Sequence, residues 1–164
     1  MRLYHLQKDR TALKQLLDEK ADKYNQTTFI PNDPISIPHR FHKKADIEIS
    51  GFIAAMLAWG LRKTIIDKAS RFLDLMDNSP HEFVMHHQEH DLKRFIGFKH
   101  RTFNEVDALY FVHFFKKLYT QYKSMEDLFI EGMPPGAENI AEGINGLRDF
   151  FVEDPYFPTR TGKH

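Results

Sequence analysis

Apolar residues recur at helical spacing along most of the chain, and they are densest between residues 46 and 76. The segment 47–57 is apolar on nearly every face, which is typical of a helix that neighbouring elements bury on several sides. Gly51 lies in the middle of this helix, where glycine costs roughly 1 kcal/mol of helix stability relative to alanine. We therefore expect it to permit a close helix crossing. Gly60 predicts the end of this helix, since glycine accepts the left-handed cap conformation. A second helix with one apolar face follows over residues 64–76, so the core is predicted to centre on this helix pair.

Five further helices are predicted from apolar periodicity and from capping signals. They cover residues 11–24, 80–87, 103–122, 125–130 and 138–151. Capping boxes, in which a hydroxyl side chain and a carboxylate three residues later satisfy free backbone amides, are predicted at three starts: Ser79 with Glu82, Thr102 with Glu105, and Ser124 with Asp127. A single helical turn over residues 91–96 is predicted to end at Gly97.

Two segments lack helical periodicity. Residues 27–45 contain Pro31, Pro34 and Pro38, each of which biases the preceding residue towards extended geometry, so an ordered, proline-rich loop is predicted. Residues 153–164 form a tail without any period. No stretch alternates convincingly over more than four residues, as strands of a half-buried sheet would. The predicted fold is therefore all-α, a single orthogonal bundle of about six to eight helices in one domain over residues 1–164.

Composition narrows the class of protein. A chain of 164 residues that is 41% hydrophobic, with 15 phenylalanines, can bury the core of one domain. Cysteine is absent, which excludes a disulfide framework and thiolate chemistry. The N-terminus lacks the apolar segment of a signal peptide, and the longest apolar run, residues 51–61, is far shorter than the ~20 residues of a membrane span. We therefore expect a cytoplasmic protein without membrane contact.

Charge is balanced over the whole chain but not along it. The 23 basic and 23 acidic residues give a net charge of zero, which argues against a generally polybasic binder. Residues 125–154 contain eight acidic residues and one basic residue, so the rest of the chain carries an excess of bases. This asymmetry has two interpretations, a basic binding face or ordinary solvated helix surfaces.

Candidate chemistry is sparse. His86 and His90 are spaced to share a helix face, as zinc ligands often are, but the metalloprotease pattern needs glutamate where His87 stands. No nucleophile elbow is present, and the segment 132–136 loses two backbone donors to its prolines, so it cannot cradle phosphate well. Neither a metal site nor a cofactor is therefore expected.

Basic residues cluster immediately before predicted helix starts. Free backbone amides at a helix start point outward and can hold phosphate, so basic side chains beside them predict nucleic-acid contacts. The candidate residues are Arg62 and Lys63 at the central turn, Lys99, His100 and Arg101 before the longest helix, and Arg40 and Lys43 in the proline-rich loop.

The order of motifs resembles an uncharacterised bacterial family of conserved hypothetical proteins. The resemblance rests on ISGFIAAMLAWGLRKTIIDKASRFLDLM, SPHEF and IGFKHRTFNEVDALYFVHFFKKLYTQYKSMEDLF, and it extends to DPISIPHRF and the closing FPTRTGKH. That family in turn is similar to the helix-hairpin-helix DNA glycosylases of base-excision repair, in which a buried helix and a turn precede a second helix. The resemblance implies a glycosylase-like N-terminal portion, double-stranded DNA as a partner, and a missing C-terminal part of the same chain.

This chain departs from the glycosylases at their chemistry. Their Leu-Pro-Gly-Val-Gly hairpin has no match here, and the catalytic groups that follow that hairpin cannot be carried over to any residue. The resemblance therefore implies that these 164 residues alone are inactive, although the full-length protein could be an enzyme. Two hypotheses remain: a DNA-contacting helical domain, and a helical protein-interaction or structural module with no role in nucleic-acid binding. Whether the two basic groups share one face discriminates between them.

Overall fold

The computed structural model describes residues 10–158, and most of them are helical, which confirms the all-α prediction. The seven α-helices of this region are α1 (Arg10–Tyr24), α2 (Lys44–Met56), α3 (Arg62–Asp74), α4 (Pro80–His86), α5 (Glu105–Gln121), α6 (Met125–Glu131) and α7 (Ala141–Val152). Two strands of two residues each, β1 (Lys99–His100) and β2 (Phe103–Asn104), form an antiparallel hairpin in which His100 lies opposite Phe103. The sequence did not predict this hairpin. A strand pair this short gives no alternation for sequence analysis to detect.

The core includes both helices of the predicted central pair, α2 and α3, and extends to α5, which the prediction did not place at its centre. Ile49, Ile53 and Leu57 have no exposed surface. The ring of Phe52 packs 5.6 Å from that of Phe111 and 5.5 Å from that of Phe115, centroid to centroid. The same helix is not buried on every face, however, since Ile47 and Met56 are 39% and 38% exposed. α1 contributes no buried residue at all, so its apolar positions lie outside this core.

The proline-rich segment was predicted as a loop, and this prediction is wrong in detail. It forms three consecutive 3-10 helices, Thr27–Asn32, Pro34–Ser36 and Pro38–Arg40. Proline is tolerated at the first position of such a turn because that amide has no intrahelical partner. The side chain of Asp33 accepts a hydrogen bond from the Ile35 amide at 3.1 Å and caps the second turn.

Gly51 does not mark a close helix crossing. A Cβ built at Gly51 would meet the Pro38 side chain at 3.8 Å, which is ordinary van der Waals contact. The neighbour of α2 at this point is therefore the 3-10 segment, and alanine would fit there.

Only one of the three predicted capping boxes forms. At α6, Ser124 and Asp127 make the predicted pair of hydrogen bonds. At α4, Ser79 makes no capping bond, and the buried Asp46 of α2 accepts instead from the His81 amide at 2.9 Å. Tertiary packing supplies an acceptor that local sequence could not reveal.

The third box is displaced by the hairpin. Residues Phe103–Asn104 are extended, so α5 begins two residues later than predicted, and Asn104 with Asp107 forms its capping box. The predicted partner Glu105 accepts a hydrogen bond from the Gly97 amide at 2.6 Å instead.

The predicted tail is described only in part. Phe157 packs 5.5 Å from the Tyr110 ring and 5.6 Å from the Phe151 ring, so this portion covers the core. Residues 159–164 of the predicted tail lie outside the described residues. Among residues 10–158, no helix combines the length and the apolar character that crossing a membrane requires.

Candidate nucleic-acid interface

The hairpin is held against the joint between α2 and α3, which we define as residues 57–61. Arg101, in the hairpin turn, has φ of +54°, and its Nε donates a hydrogen bond to the Trp59 carbonyl at 3.0 Å. Its guanidinium covers Gly60, where an added Cβ would lie only 2.6 Å from Nη2. Gly60 has φ of +117°, a backbone conformation that favours glycine, whereas the flexible Arg101 side chain could move away from an added Cβ. The hairpin thus brings one cation of the second predicted basic group, Arg101, to the joint that precedes α3.

His100 was predicted to contact nucleic acid, but the structure buries it. The residue is 3% exposed, and its ring stacks on that of Trp59 at 6.4 Å with an interplanar angle of 16°. Burial lowers the pKa of His100 below its ordinary value, although the Trp59 and Leu57 carbonyls offset part of this effect. Its Nε2 makes no hydrogen bond. His100 is a packing residue that fastens the hairpin to the joint, and it is not available to a phosphate.

Arg62 and Lys63 are exposed at the start of α3, as predicted, but each already has a carboxylate neighbour. Arg62 Nε lies 3.6 Å from Asp33, and Lys63 Nζ lies 3.0 Å from Asp67 one turn along the helix. The Arg62 guanidinium also lies 5.4 Å from the centroid of the Phe29 ring. These internal partners reduce the charge that the two residues can offer to a ligand.

Arg40 has a structural role that the sequence did not reveal. Its guanidinium donates to Ser70 Oγ at 3.2 Å and to Asn78 Oδ1 at 2.5 Å, which ties the 3-10 segment to the far end of α3. Lys43 is exposed at the N-cap position of α2. The structure therefore does not bring Arg40 and Lys43 to the joint between α2 and α3.

A basic pocket lies where the hairpin and the segment before it pack along α3. Its volume is about 150 Å³. α3 contributes Lys68 and Arg71, one helical turn apart, and β1 contributes Lys99. The remaining residues that line it are Leu75, Arg94, Ile96, Gly97 and Phe98. The pocket therefore gathers four cationic side chains from three separate elements.

Three of these cations have no acidic partner. Arg94 pairs with Asp77 and Asp91, each at 2.8 Å, and these hydrogen bonds raise its pKa. Among residues 10–158, no carboxylate lies within ion-pair distance of Lys68, Arg71 or Lys99. Lys68 instead lies 5.9 Å from the centroid of the Phe98 ring. Like charges gathered without counterions repel one another, so the pocket favours an anion.

Sequence analysis missed Lys68 and Arg71. Both lie on the polar face of α3, where an isolated basic residue usually means only a solvated surface. Their spacing of three residues places them on one helix face. What makes them a candidate site is the position of the hairpin, which the sequence did not predict.

We define the basic surface as Lys68, Arg71, Lys99 and Arg101. Two of these four residues, Lys99 and Arg101, were predicted, and the structure places them on the same hairpin. Arg101 reaches the joint that precedes Arg62, whereas Lys99 lines the pocket with the two cations of α3. Whether the two predicted basic groups share one face stays a prediction.

A second, apolar pocket of about 270 Å³ lies on α5, and it is lined by Val106, Leu109, Tyr110, His113 and Tyr156. Beside it, Asp154 accepts hydrogen bonds from Lys117 at 2.9 Å and from His113 at 3.2 Å. Burial by itself would raise the pKa of Asp154. The hydrogen bonds from Lys117, the Tyr156 amide and His113 outweigh that effect and lower the pKa.

Histidine and carboxylate side chains do not converge on a metal site in the described part of the chain, where no group of three could hold an ion. His87, which interrupts the metalloprotease pattern, directs Nδ1 at the Phe83 carbonyl, 3.0 Å away. His86 lies 3.7 Å from Glu82 on the exposed side of α4. These contacts are local to one helix.

The fold and its pockets define a small all-α protein with a basic pocket and an apolar pocket at separate places on one core. The chain belongs to the family described as "Protein of unknown function (DUF2400)", whose match covers residues 33–164. This match confirms the resemblance to an uncharacterised family. It does not show a relationship to the DNA glycosylases. α1 precedes the matched region. Comparisons with curated proteins and with solved structures found no match.

Proposed function

We propose that this chain is a DNA-binding domain that contacts the phosphates of a duplex through the basic surface. The observation that carries the proposal is the set of cations on α3 and β1 without acidic partners, Lys68, Arg71 and Lys99. Backbone phosphates are the groups that such cations hold most strongly in nucleic-acid complexes. The resemblance of the sequence to helix-hairpin-helix glycosylases supports duplex DNA as the nucleic acid.

Binding of this kind is expected to be nearly independent of sequence. The cations project from the side of α3 and from a two-residue strand, so no recognition helix presents side chains to base edges. Arg62 and Lys63 have a smaller part than the basic surface, because Asp33 and Asp67 compete with phosphate for them.

Salt dependence of duplex binding tests the proposal. If the four cations of the basic surface each neutralise one phosphate, the logarithm of affinity falls with the logarithm of salt concentration at a slope of about −3.6. Fluorescence anisotropy with a labelled duplex of mixed sequence measures this slope. Lys99→Gln is expected to flatten it by about one, and Lys116→Gln, an exposed lysine of α5 outside the basic surface, serves as the control. Absence of binding at low salt contradicts the proposal.

The apolar pocket favours a second candidate, a protein-interaction module. Val106, which is 51% exposed, and Tyr156, which is 74% exposed, line this pocket. Exposed apolar residues around a concavity are a common mark of protein contacts. If duplex binding is absent, while substitution of Val106 by Asp abolishes a measurable association with another protein, this second function is favoured.

A further inference from the structure

The basic pocket has the size of a site for one small anion. Its volume is about 150 Å³. Pockets that enclose whole drug-sized ligands begin at roughly 300 Å³. The basic pocket is about half that size, which suits a single phosphate group better than a whole nucleotide.

The charge of the pocket matches a phosphomonoester better than a phosphodiester. Lys68, Arg71 and Lys99 contribute three positive charges that form no ion pair within the described chain, and the nearby Glu105 carboxylate is bound to the Gly97 amide. A phosphodiester in a nucleic-acid backbone carries one negative charge, whereas a terminal phosphate carries about −1.5 to −2 at neutral pH and has three strong acceptor oxygens. Each additional negative charge is held by cations that otherwise repel one another.

The cationic side chains of the basic pocket can contact several oxygen atoms of one phosphate group. Arg71 offers a planar fork of donors that can bind two phosphate oxygens, and the lysines act as point charges. Gly97, at φ of +80°, leaves open space beside the pocket, since nothing lies within 4 Å of an added Cβ. The buried side chains of Leu75 and Phe98, each 7% exposed, form apolar walls that strengthen charge interactions inside.

We propose that the basic pocket binds a phosphomonoester dianion. Two sources supply that group: the terminal phosphate of a nucleic-acid strand, which rests on the proposed function, or the phosphate of a small molecule. In the first case the protein prefers duplex ends or nicks that carry a phosphate over uninterrupted duplex. Arg94 donates hydrogen bonds to Asp77 and Asp91, which hold the segment that forms the rim.

The test compares two labelled duplexes of identical sequence, one with 5′-phosphates and one with 5′-hydroxyl ends, in phosphate-free buffer. The phosphorylated duplex is expected to bind about tenfold more tightly, the effect of one net hydrogen bond between charged groups. Arg71→Gln is expected to remove this preference. Lys63→Gln, on the same helix but paired with Asp67, is the matched control and is expected to keep it. Thermal unfolding verifies that both variants, which change exposed side chains, remain folded.

Isothermal titration with inorganic phosphate and with adenosine monophosphate separates the two sources. Binding of both anions without binding of either duplex supports the pocket, assigns a small-molecule source and contradicts the proposed function. Equal affinity for the two duplexes, with no binding of inorganic phosphate, overturns the pocket proposal while leaving DNA binding intact. Anion binding that Arg71→Gln leaves unchanged also overturns it, because the anion then lies elsewhere.

Discussion

The basic pocket and the apolar pocket lie on the same core, but they differ in how their charges are satisfied. At the basic pocket, Lys68, Arg71 and Lys99 lie together without a carboxylate partner. Beside the apolar pocket, the side chains of Lys117 and His113 both contact Asp154, which is itself buried. Ion pairs and hydrogen bonds such as those of Asp154 stabilise the fold. Unpaired like charges repel one another, and binding of an anion would reduce that repulsion. The difference is the basis of the proposed binding role of the basic pocket, and the ion pairs of Asp154 are structural.

The largest expected effect on the free energy of unfolding comes from substitutions in the joint between α2 and α3. Leu57 has no exposed surface and Leu61, four residues later, is 77% exposed. Leu57→Ala is expected to lower the free energy of unfolding by about 2–5 kcal/mol, because it leaves a cavity in the core. Leu61→Ala is the matched control, with an expected change below about 0.5 kcal/mol. Chemical denaturation measures both, and equal losses would show that the joint is not packed as described.

A smaller effect on the free energy of unfolding is expected from substitutions at Asp154, beside the apolar pocket, and at Arg71, in the basic pocket. Asp154→Ala leaves the donors of Lys117 and the Tyr156 amide without their acceptor, so the free energy of unfolding should fall by about 1–3 kcal/mol. Arg71→Gln removes an exposed, unpaired charge and should change it by less than about 0.5 kcal/mol. Denaturant titration of the two variants under identical conditions checks the contrast. A larger loss for Arg71→Gln would mean that the basic pocket has a structural role.

Much of the fold followed from the sequence, but the site followed only in part. Apolar periodicity located the helices because their buried residues, such as Ile65, Ala69 and Phe72 on α3, repeat every three to four residues. The hairpin has no such period, and the Thr102–Glu105 spacing favoured a helix start that tertiary contacts displaced to Asn104. Lys99 and Arg101 could be predicted from their position before a helix. Lys68 and Arg71 could not, since their significance depends on which element packs beside them.

The smallest effect on stability is expected from pH, through the histidine that fastens the hairpin. Burial lowers the pKa of His100 in the folded protein, so the unfolded state binds protons first as pH falls. His100 therefore contributes stability above its unfolded pKa of about 6.5, and this contribution is lost as pH falls below that value. His100→Phe, which retains a ring beside Trp59, should reduce the loss of stability between pH 7 and pH 5. An unchanged pH profile, measured by denaturant titration with the exposed His42→Gln variant as control, would show that the ring does not titrate in this way.

Salt dependence of two double variants of α3 tests most directly whether unpaired cations form the binding surface. Lys68→Gln with Arg71→Gln removes two cations that lack acidic partners, and Arg62→Gln with Lys63→Gln removes two that lie beside Asp33 and Asp67. Both pairs remove the same formal charge from the same helix. The first pair is expected to flatten the salt slope of duplex binding by about two, and the second by less than about one, because internal carboxylates already compensate those charges. Equal flattening, or a larger effect of the second pair, would contradict the assignment of the basic surface.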